Sequence, residues 1–186
     1  MGMAEMVQRW TREMVLALPD DGKRYELFDG ELLVTPAPTG PHQVVLMRFY
    51  DAIAPFVRAN KLGETLLSPA DLDLGGDQLS QPDLFVMPFL PKGLDWANFP
   101  DPVLVLEVLS PSSARFDRTI KRRRFQLAGI PEYWIVDLDA RTIERWRPGD
   151  ERPEILDQSL VWSPKGAAHS LEIDLPALFK SIWPEE

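Results

Sequence analysis

The sequence predicts an α+β fold with an α/β-like core, in which a mixed β-sheet is flanked by helices. Runs of strand length alternate with helical patterns through the middle of the chain, and residues 103–109 are apolar on both sides, as a covered central strand is. The composition agrees, since 45% of the 186 residues are apolar and 26% are charged, which is ordinary globular usage. We therefore expect residues 1–186 to form a single domain with its core at about 41–140.

The N-terminal part of the chain predicts a helix followed by a hairpin. Residues 4–18 carry apolar side chains near helical spacing. Residues 25–34 alternate as two strands around Asp29 and Gly30, a pair that suits a two-residue type I′ turn. In that register Glu26 and Glu31 lie on one face of the hairpin.

The remaining elements follow from the same patterns of spacing and from proline and glycine breaks. They are a helix over about 41–60 with Thr39 as a candidate cap, one or two extended segments over 61–74, a strand over 82–87, a loop over 88–102, the central strand over 103–109, a helix over 114–128, a strand over 131–138, and short strands over 142–146, 154–156 and 171–175. The order places an extra helix and hairpin before the core and a β extension after it.

Composition excludes several classes of function. The chain has no cysteine, so disulfides, thiolate zinc sites and cysteine nucleophiles are absent. Twenty basic against 29 acidic residues give a net charge of −9, which argues against unspecific binding of nucleic acid over the whole surface. No apolar run approaches membrane-spanning length, and the first residues lack the pattern of a secretion signal. We expect a cytoplasmic protein without membrane contact.

Glu107 is the most informative residue, because it lies inside the most apolar strand of the chain. An unpaired carboxylate there would cost several kcal/mol or stay protonated, so a metal ion, a cation or a hydrogen-bond donor should meet it. A structural acid near a strand end would satisfy the same pattern. Asp83 begins the preceding strand, and two carboxylates on consecutive strands are the ligands that Mg²⁺ uses with waters and phosphate.

The predicted helix after Glu107 is strongly basic, with six basic side chains among the ten residues 115–124. Helical spacing predicts that Phe116, Ile120 and Leu127 form its buried stripe, with Lys121 at the edge of that stripe. Asp117 is the expected ion-pair partner of Lys121, four residues later. The arginines form either a solvated face or a strip that contacts phosphates.

Three blocks together resemble a known family. Pro82-Asp83, Glu107-Val-Leu-Ser-Pro-Ser112 and, after Lys121, Gly129-Ile-Pro-Glu-Tyr-Trp-Ile-Val-Asp137 resemble the restriction-endonuclease-like family of PD-(D/E)XK nucleases known as the Uma type. The resemblance extends over roughly residues 20–180. It implies a restriction-endonuclease-like mixed sheet with Mg²⁺ held at the edge of the sheet and Mn²⁺ as a substitute.

The resemblance also implies roles for individual residues. Asp83 takes the place of the first acid of the motif and Glu107 that of the second, so both would bind the metal. The motif asks for lysine two residues after the second acid, where this chain has Leu109. In this family the lysine is thought to have moved to the following helix, where Lys121 matches, so Lys121 would be the third catalytic residue. Glu31 and His42 are additional candidates for the site, and Glu26 ranks below them.

The implied function is Mg²⁺-dependent hydrolysis of DNA phosphodiester bonds. Arg115, Arg118 and Arg122 would hold the nucleic-acid backbone, and a homodimer is expected by analogy with restriction enzymes that cut two strands. Two alternatives stay open. One is a non-catalytic module that binds nucleic acid or assembles with partners on the same fold. The other is a phosphohydrolase for small phosphate esters, which would have a closed pocket and not an open groove.

Overall fold

The structure is a computed structural model that describes residues 9–76, 78–89 and 100–183. Its first helix, α1 (Arg12–Leu16), is shorter than predicted, and the part of the prediction that falls on residues 1–8 lies outside the described residues. The hairpin of β1 (Arg24–Phe28) and β2 (Glu31–Thr35) has the predicted register. Its two turn residues both have positive φ angles, 56° and 84°, as a type I′ turn requires.

The long helix α2 (Gly40–Ala59) confirms the predicted helix and lays one apolar side on the central sheet. Thr39 occupies the N-cap position, but its side chain makes no capping hydrogen bond. The predicted position of the cap is confirmed, but the side-chain bond is absent, and Pro41 removes one of the two amide donors that such a bond would use.

The central sheet has six strands and is mixed, as predicted. Its strands lie in the order β10 (Glu154–Leu156), β9 (Thr142–Trp146), β8 (Tyr133–Asp137), β7 (Leu104–Val108), β6 (Leu84–Met87) and β3 (Glu64–Leu67). Strands β7 and β8 pair in parallel, and the other neighbours pair antiparallel. The predicted loop over 88–102 falls largely on residues 90–99, outside the described residues.

Two smaller sheets flank the central one. The hairpin joins β5 (Leu79–Ser80) and β4 (Leu72–Asp73) in the order β2-β1-β5-β4, and β11 (Ser159–Trp162) pairs with β12 (Leu171–Asp174). Patterning missed β5, β11 and the terminal helix α5 (Leu175–Lys180). Each is short, so few residues report its period. The C-terminal extension therefore ends in a helix, which Asp174 caps and whose apolar side joins the core under α2.

Alternation along the central strands sorts their side chains between two faces. Leu104, Leu106 and Val108 pack with α2, whereas Val105 packs on the opposite face with Phe125. Glu107 shares the parity of Val105, so its carboxylate points to the side that the following helix covers. Within the described ranges, no helix combines the length and apolar character needed to cross a bilayer.

That following helix consists of α3 (Ala114–Phe116), a π-helical turn (Asp117–Lys121) and α4 (Arg122–Leu127), and we call residues 114–127 the basic helix. The predicted buried stripe is wrong, since Leu127 is 67% exposed and neither Phe116 nor Ile120 is fully buried. The residues that the helix buries are Asp117, Lys121 and Phe125, four apart. Charge pairing beneath the helix outweighs the apolar pattern, and a π-helical turn of this kind is often found at functional sites.

Candidate active site

Asp83 and Glu107 meet because β6 and β7 are antiparallel neighbours. Leu84 pairs with Leu106, so the next pair outward places Asp83 opposite Glu107. The backbone N–H of Asp83 donates to Oε2 of Glu107 at 3.3 Å, and the N–H of Val108 donates to Oδ2 of Asp83 at 2.8 Å. These two hydrogen bonds, formed across the paired strands, fix both carboxylates in position, and each residue is only 2% exposed.

Lys121 reaches this pair from the basic helix. Its Nζ lies 2.9 Å from Oε1 of Glu107, 2.8 Å from Oε2 of Glu26 and 3.4 Å from Oδ1 of Asp117. The last distance confirms the expected i,i+4 pair. Lys121 is 1% exposed, and burial by itself would lower its pKa, but the surrounding carboxylates raise that pKa well above its ordinary value. The ammonium therefore stays charged in the interior.

Asp83 has its own cationic partner. Arg24, on β1, donates to Oδ1 of Asp83 at 2.8 Å, and Nε2 of His42, in the first turn of α2, lies 3.0 Å from Oδ2. Burial would raise the pKa of Asp83, but the His42 hydrogen bond and the charge of Arg24 outweigh it and hold that pKa below its ordinary value. Asp83 is therefore ionised.

The cluster carries more negative than positive charge. Its four carboxylates, listed by position, are Glu26, Asp83, Glu107 and Asp117. Arg24 and Lys121 are the two permanent cations, so two negative charges remain uncompensated if every acid is ionised. Burial accordingly raises the pKa of Glu107 well above its ordinary value and also raises that of Asp117, although Lys121 opposes both shifts. Bound protons or a divalent cation would neutralise these two negative charges.

A cavity of about 260 Å³ opens onto the cluster. Arg24, Glu26, His42, Asp83, Glu107 and Lys121 all line it. Residues 35–39, from the end of β2 to the start of α2, form one wall, and residues 108–113, from the last residue of β7 onward, form the other. Leu109 belongs to the second wall, so the position where the motif would have its lysine faces the same cavity.

Three observations indicate that the residues of the cavity suit a hard divalent cation. Asp83 and Glu107 supply oxygen ligands, which Mg²⁺ prefers, and the cluster has two negative charges to neutralise. Oδ1 of Asp117 and Oε2 of Glu26 are buried without a hydrogen-bond donor beyond the Lys121 ion pairs. No three acidic or histidine side chains in the described ranges are arranged to coordinate a metal by themselves, so waters and substrate phosphate would complete the shell.

The structure brings some of the predicted residues together and leaves others apart. Asp83, Glu107, Lys121 and His42 converge, whereas Glu31 is exposed at the start of β2 and does not line the cavity. Glu31 sits at the turn end of the hairpin, while Glu26, two residues after Arg24 on the same face, lies beneath the basic helix. The ranking of Glu31 above Glu26 is therefore reversed by the geometry.

The predicted phosphate-contacting arginines are largely engaged elsewhere. Arg118 donates to Glu144 at 2.6 Å and to Asp137 at 2.9 Å. Arg122 lies 4.7 Å from the ring of Trp146 and donates to Gln126 at 2.8 Å, so it braces the helix against β9. Arg115 is exposed and has no acidic partner in the part of the chain that the structure describes.

Sequence reasoning missed Arg24 and ranked Glu26 last. The alternation of β1 could have indicated that both residues are buried. Residues two apart in a strand lie on the same face, so Arg24 and Glu26 share the face of Phe28. Phe28 is fully buried, which means that this face is covered. Alternation could not show which element packs on this face, because that element is the basic helix, almost ninety residues later in the chain.

Comparisons with known proteins agree with this architecture. A model of the family described as "Uma2: Putative restriction endonuclease" matches residues 12–176. A crystal structure of "a putative nuclease belonging to DUF820" from Anabaena variabilis is similar with a TM-score of 0.78 and 24% sequence identity, covering 94% of this chain and 99% of that chain. This likeness confirms the predicted class of fold. No curated protein matches the sequence.

Proposed function

The chain belongs to the Uma2 family, and from that premise we propose that it is a Mg²⁺-dependent endonuclease that hydrolyses phosphodiester bonds of DNA. The observation that carries the proposal is the convergence of three side chains: Asp83 directly before β6, Glu107 opposite it on β7, and Lys121 2.9 Å from Glu107. A module that only binds nucleic acid would need none of these to meet inside a cavity.

In this proposal Asp83 and Glu107 hold the metal, as the chemistry of their oxygen atoms allows. When bound, Mg²⁺ would polarise the scissile phosphate and lower the pKa of an attacking water. Lys121 is held charged by Glu26 and Asp117, so its positive charge stays next to Glu107 where negative charge develops on the phosphate. His42 fixes Asp83 by its hydrogen bond to Oδ2.

The direct test is cleavage of labelled DNA and RNA, single-stranded and duplex, with Mg²⁺, with Mn²⁺ and with EDTA. We expect metal-dependent cleavage of DNA by the wild type and none by Glu107→Gln or Asp83→Asn. Glu31→Gln is the matched control, because Glu31 is exposed and lies outside the cavity. Circular dichroism and thermal unfolding verify that each variant folds. Cleavage retained by Glu107→Gln would overturn the assignment of the site.

One observation favours a second candidate, a phosphohydrolase for small phosphate esters. Glu26, Asp83 and Glu107 line a cavity of about 260 Å³, and Arg118 and Arg122 already have partners within the protein. A chromogenic phosphodiester such as bis(4-nitrophenyl) phosphate belongs in the same assay. Turnover of that ester without cleavage of any nucleic acid would favour the second candidate over the first.

A further inference from the structure

Arg24 is the second permanent cation of the cavity, and no motif assigns it a role. Its side chain is 17% exposed and lines the cavity beside Asp83 and Glu107. Among the residues that the structure describes, Asp83 is its sole hydrogen-bond acceptor. A guanidinium carries five N–H donors, so most of its hydrogen-bonding capacity is unused by the protein.

The oxygen atoms of Asp83 have unequal capacity for a further partner. Oδ2 accepts from the Val108 N–H at 2.8 Å and lies 3.0 Å from Nε2 of His42, so both of its lone pairs are engaged. Oδ1 accepts only from Arg24. A divalent cation that binds Asp83 therefore has to bind at Oδ1, the atom that Arg24 contacts.

Two cations on one oxygen repel each other strongly where water is scarce. Asp83 keeps its orientation without Arg24, because Val108 and His42 hold the other oxygen. Arg24 can leave Oδ1 by rotation of its own side chain, and the space available to it is the cavity that it lines. A planar guanidinium matches two oxygens of a phosphate group, so a phosphate bound in the cavity is the natural new partner.

Resting on the proposed function, we propose that Arg24 is an exchangeable counter-ion: it neutralises Asp83 in the metal-free protein and, when a divalent cation takes Oδ1, transfers to a phosphate group of the substrate. The cavity then contains an anion site made by Arg24 in addition to the metal site. The ligand class of that anion site is a phosphate mono- or diester, or inorganic phosphate.

The exchange makes two opposite predictions for Arg24→Gln. Removing the competing cation should tighten Mn²⁺ binding by about tenfold or more, since an adjacent arginine shifts proton affinity of a carboxylate by about 1–3 pKa units. Removing the guanidinium should weaken binding of inorganic phosphate to the Mn²⁺-loaded protein by about tenfold, the value of a hydrogen bond to a charged group. A counter-ion without a phosphate role would change only the first quantity.

Isothermal titration of Mn²⁺, and then of inorganic phosphate into the Mn²⁺-loaded protein, measures both affinities without requiring turnover. Arg12→Gln is the matched control, because Arg12 pairs with Asp73 outside the cavity, and it should change neither affinity. If Arg24→Gln fails to fold, Arg24→Lys replaces it: competition for Asp83 should persist, so Mn²⁺ affinity stays near wild type while phosphate binding weakens.

The outcomes separate this inference from the proposed function. Unchanged phosphate affinity in the Arg24 variant, or weaker Mn²⁺ binding, overturns the exchange even if the wild type cleaves DNA. No Mn²⁺ binding by the wild type, with or without phosphate, overturns it as well. If both affinities shift as expected but no nucleic acid is cleaved, the anion site stands and the nuclease assignment fails.

Discussion

The Nζ atom of Lys121 lies 2.9 Å from Oε1 of Glu107, although the two residues are 14 positions apart and belong to a helix and a strand. The spacing of the common motif would place a lysine at position 109, on the strand side of the same cavity. In the structure a lysine reaches the same cavity from the helix, at the end of a π-helical turn that also buries Asp117. Under the proposed function, Lys121 takes the place of the lysine that the motif has at position 109.

Lys121 should be essential for stability as well as for any catalysis. Lys121→Met leaves Glu26, Glu107 and Asp117 buried without their shared cation, and breaking such a buried pairing costs roughly 3–5 kcal/mol. Urea denaturation measures the free energy of unfolding. Adding Glu26→Gln to Lys121→Met should recover part of the loss, because it removes one unpaired charge. A loss below about 1 kcal/mol in the single variant would contradict the buried network.

Glu26 and Glu31 provide a matched pair on one hairpin. Glu26→Gln weakens the hold on Lys121, and loss of a supporting group of this kind typically costs about 10–100-fold in activity or metal affinity. Glu31→Gln should change the cleavage rate by no more than about twofold, as expected for an exposed side chain. Initial rates of metal-dependent cleavage decide the matter, and equal effects of the two substitutions would count against the role given to Glu26.

The metal-free protein should become less stable as the pH rises above the ordinary carboxyl pKa range. Burial raises the pKa of Glu107 and of Asp117, so the native state retains protons that the unfolded chain has already released. The free energy of unfolding is then highest below the ordinary carboxyl pKa and falls as the pH passes the raised values. The pKa of Asp83 is lowered, so Asp83 makes the free energy of unfolding rise with pH, but only at pH values below its ordinary pKa of 3.8.

Thermal unfolding in EDTA at a series of pH values from about 5 to 8 tests this dependence. Mn²⁺ should remove most of it, because the cation replaces the protons that neutralise the cluster, and its affinity should rise with pH. Glu107→Gln should reduce the dependence in EDTA. A midpoint that rises over this range would contradict the raised pKa of Glu107 and of Asp117.

Arg115 and Arg118 should respond differently to substitution. Arg115→Gln removes an exposed charge without an acidic partner in the described ranges, so the slope of log affinity for DNA against log salt should decrease by about one. Arg118→Gln should leave that slope unchanged and instead lower stability by less than about 1 kcal/mol, since Arg118 is paired with Asp137 and Glu144. Fluorescence anisotropy across a potassium chloride series in EDTA measures the slope. Equal slopes for both variants would refute the distinction.

Local patterns predicted the elements that are long or strongly periodic. The hairpin register follows from alternation and from the Asp29 and Gly30 turn, whose residues need nothing outside the hairpin to adopt positive φ. The helix α2 follows from its apolar period over twenty residues. The short strands β5 and β11 and the helix α5 were missed, because two to six residues carry too little periodicity to decide between strand, helix and loop.

The basic helix shows where local patterning fails. Its apolar spacing predicted that Phe116, Ile120 and Leu127 are buried, but the helix buries Asp117 and Lys121 against the sheet. Charged residues normally lie on the solvent side, so the pattern placed Lys121 no deeper than the edge of the apolar stripe. Their burial is stable only because acids from β1 and β7 meet the lysine, and neither strand is adjacent to the helix in sequence.

The sequence by itself determined that Asp83 and Glu107 lie at consecutive strands of a covered sheet, and the pairing of those strands in the structure brings the two carboxylates together. It also determined that Glu107 needs a partner, since an isolated buried carboxylate is unstable. Only the tertiary structure decided which partners those are. Arg24, Glu26 and Lys121 come from elements far apart in the chain, and the balance of four acids against two cations exists only once packing has excluded water from all of them.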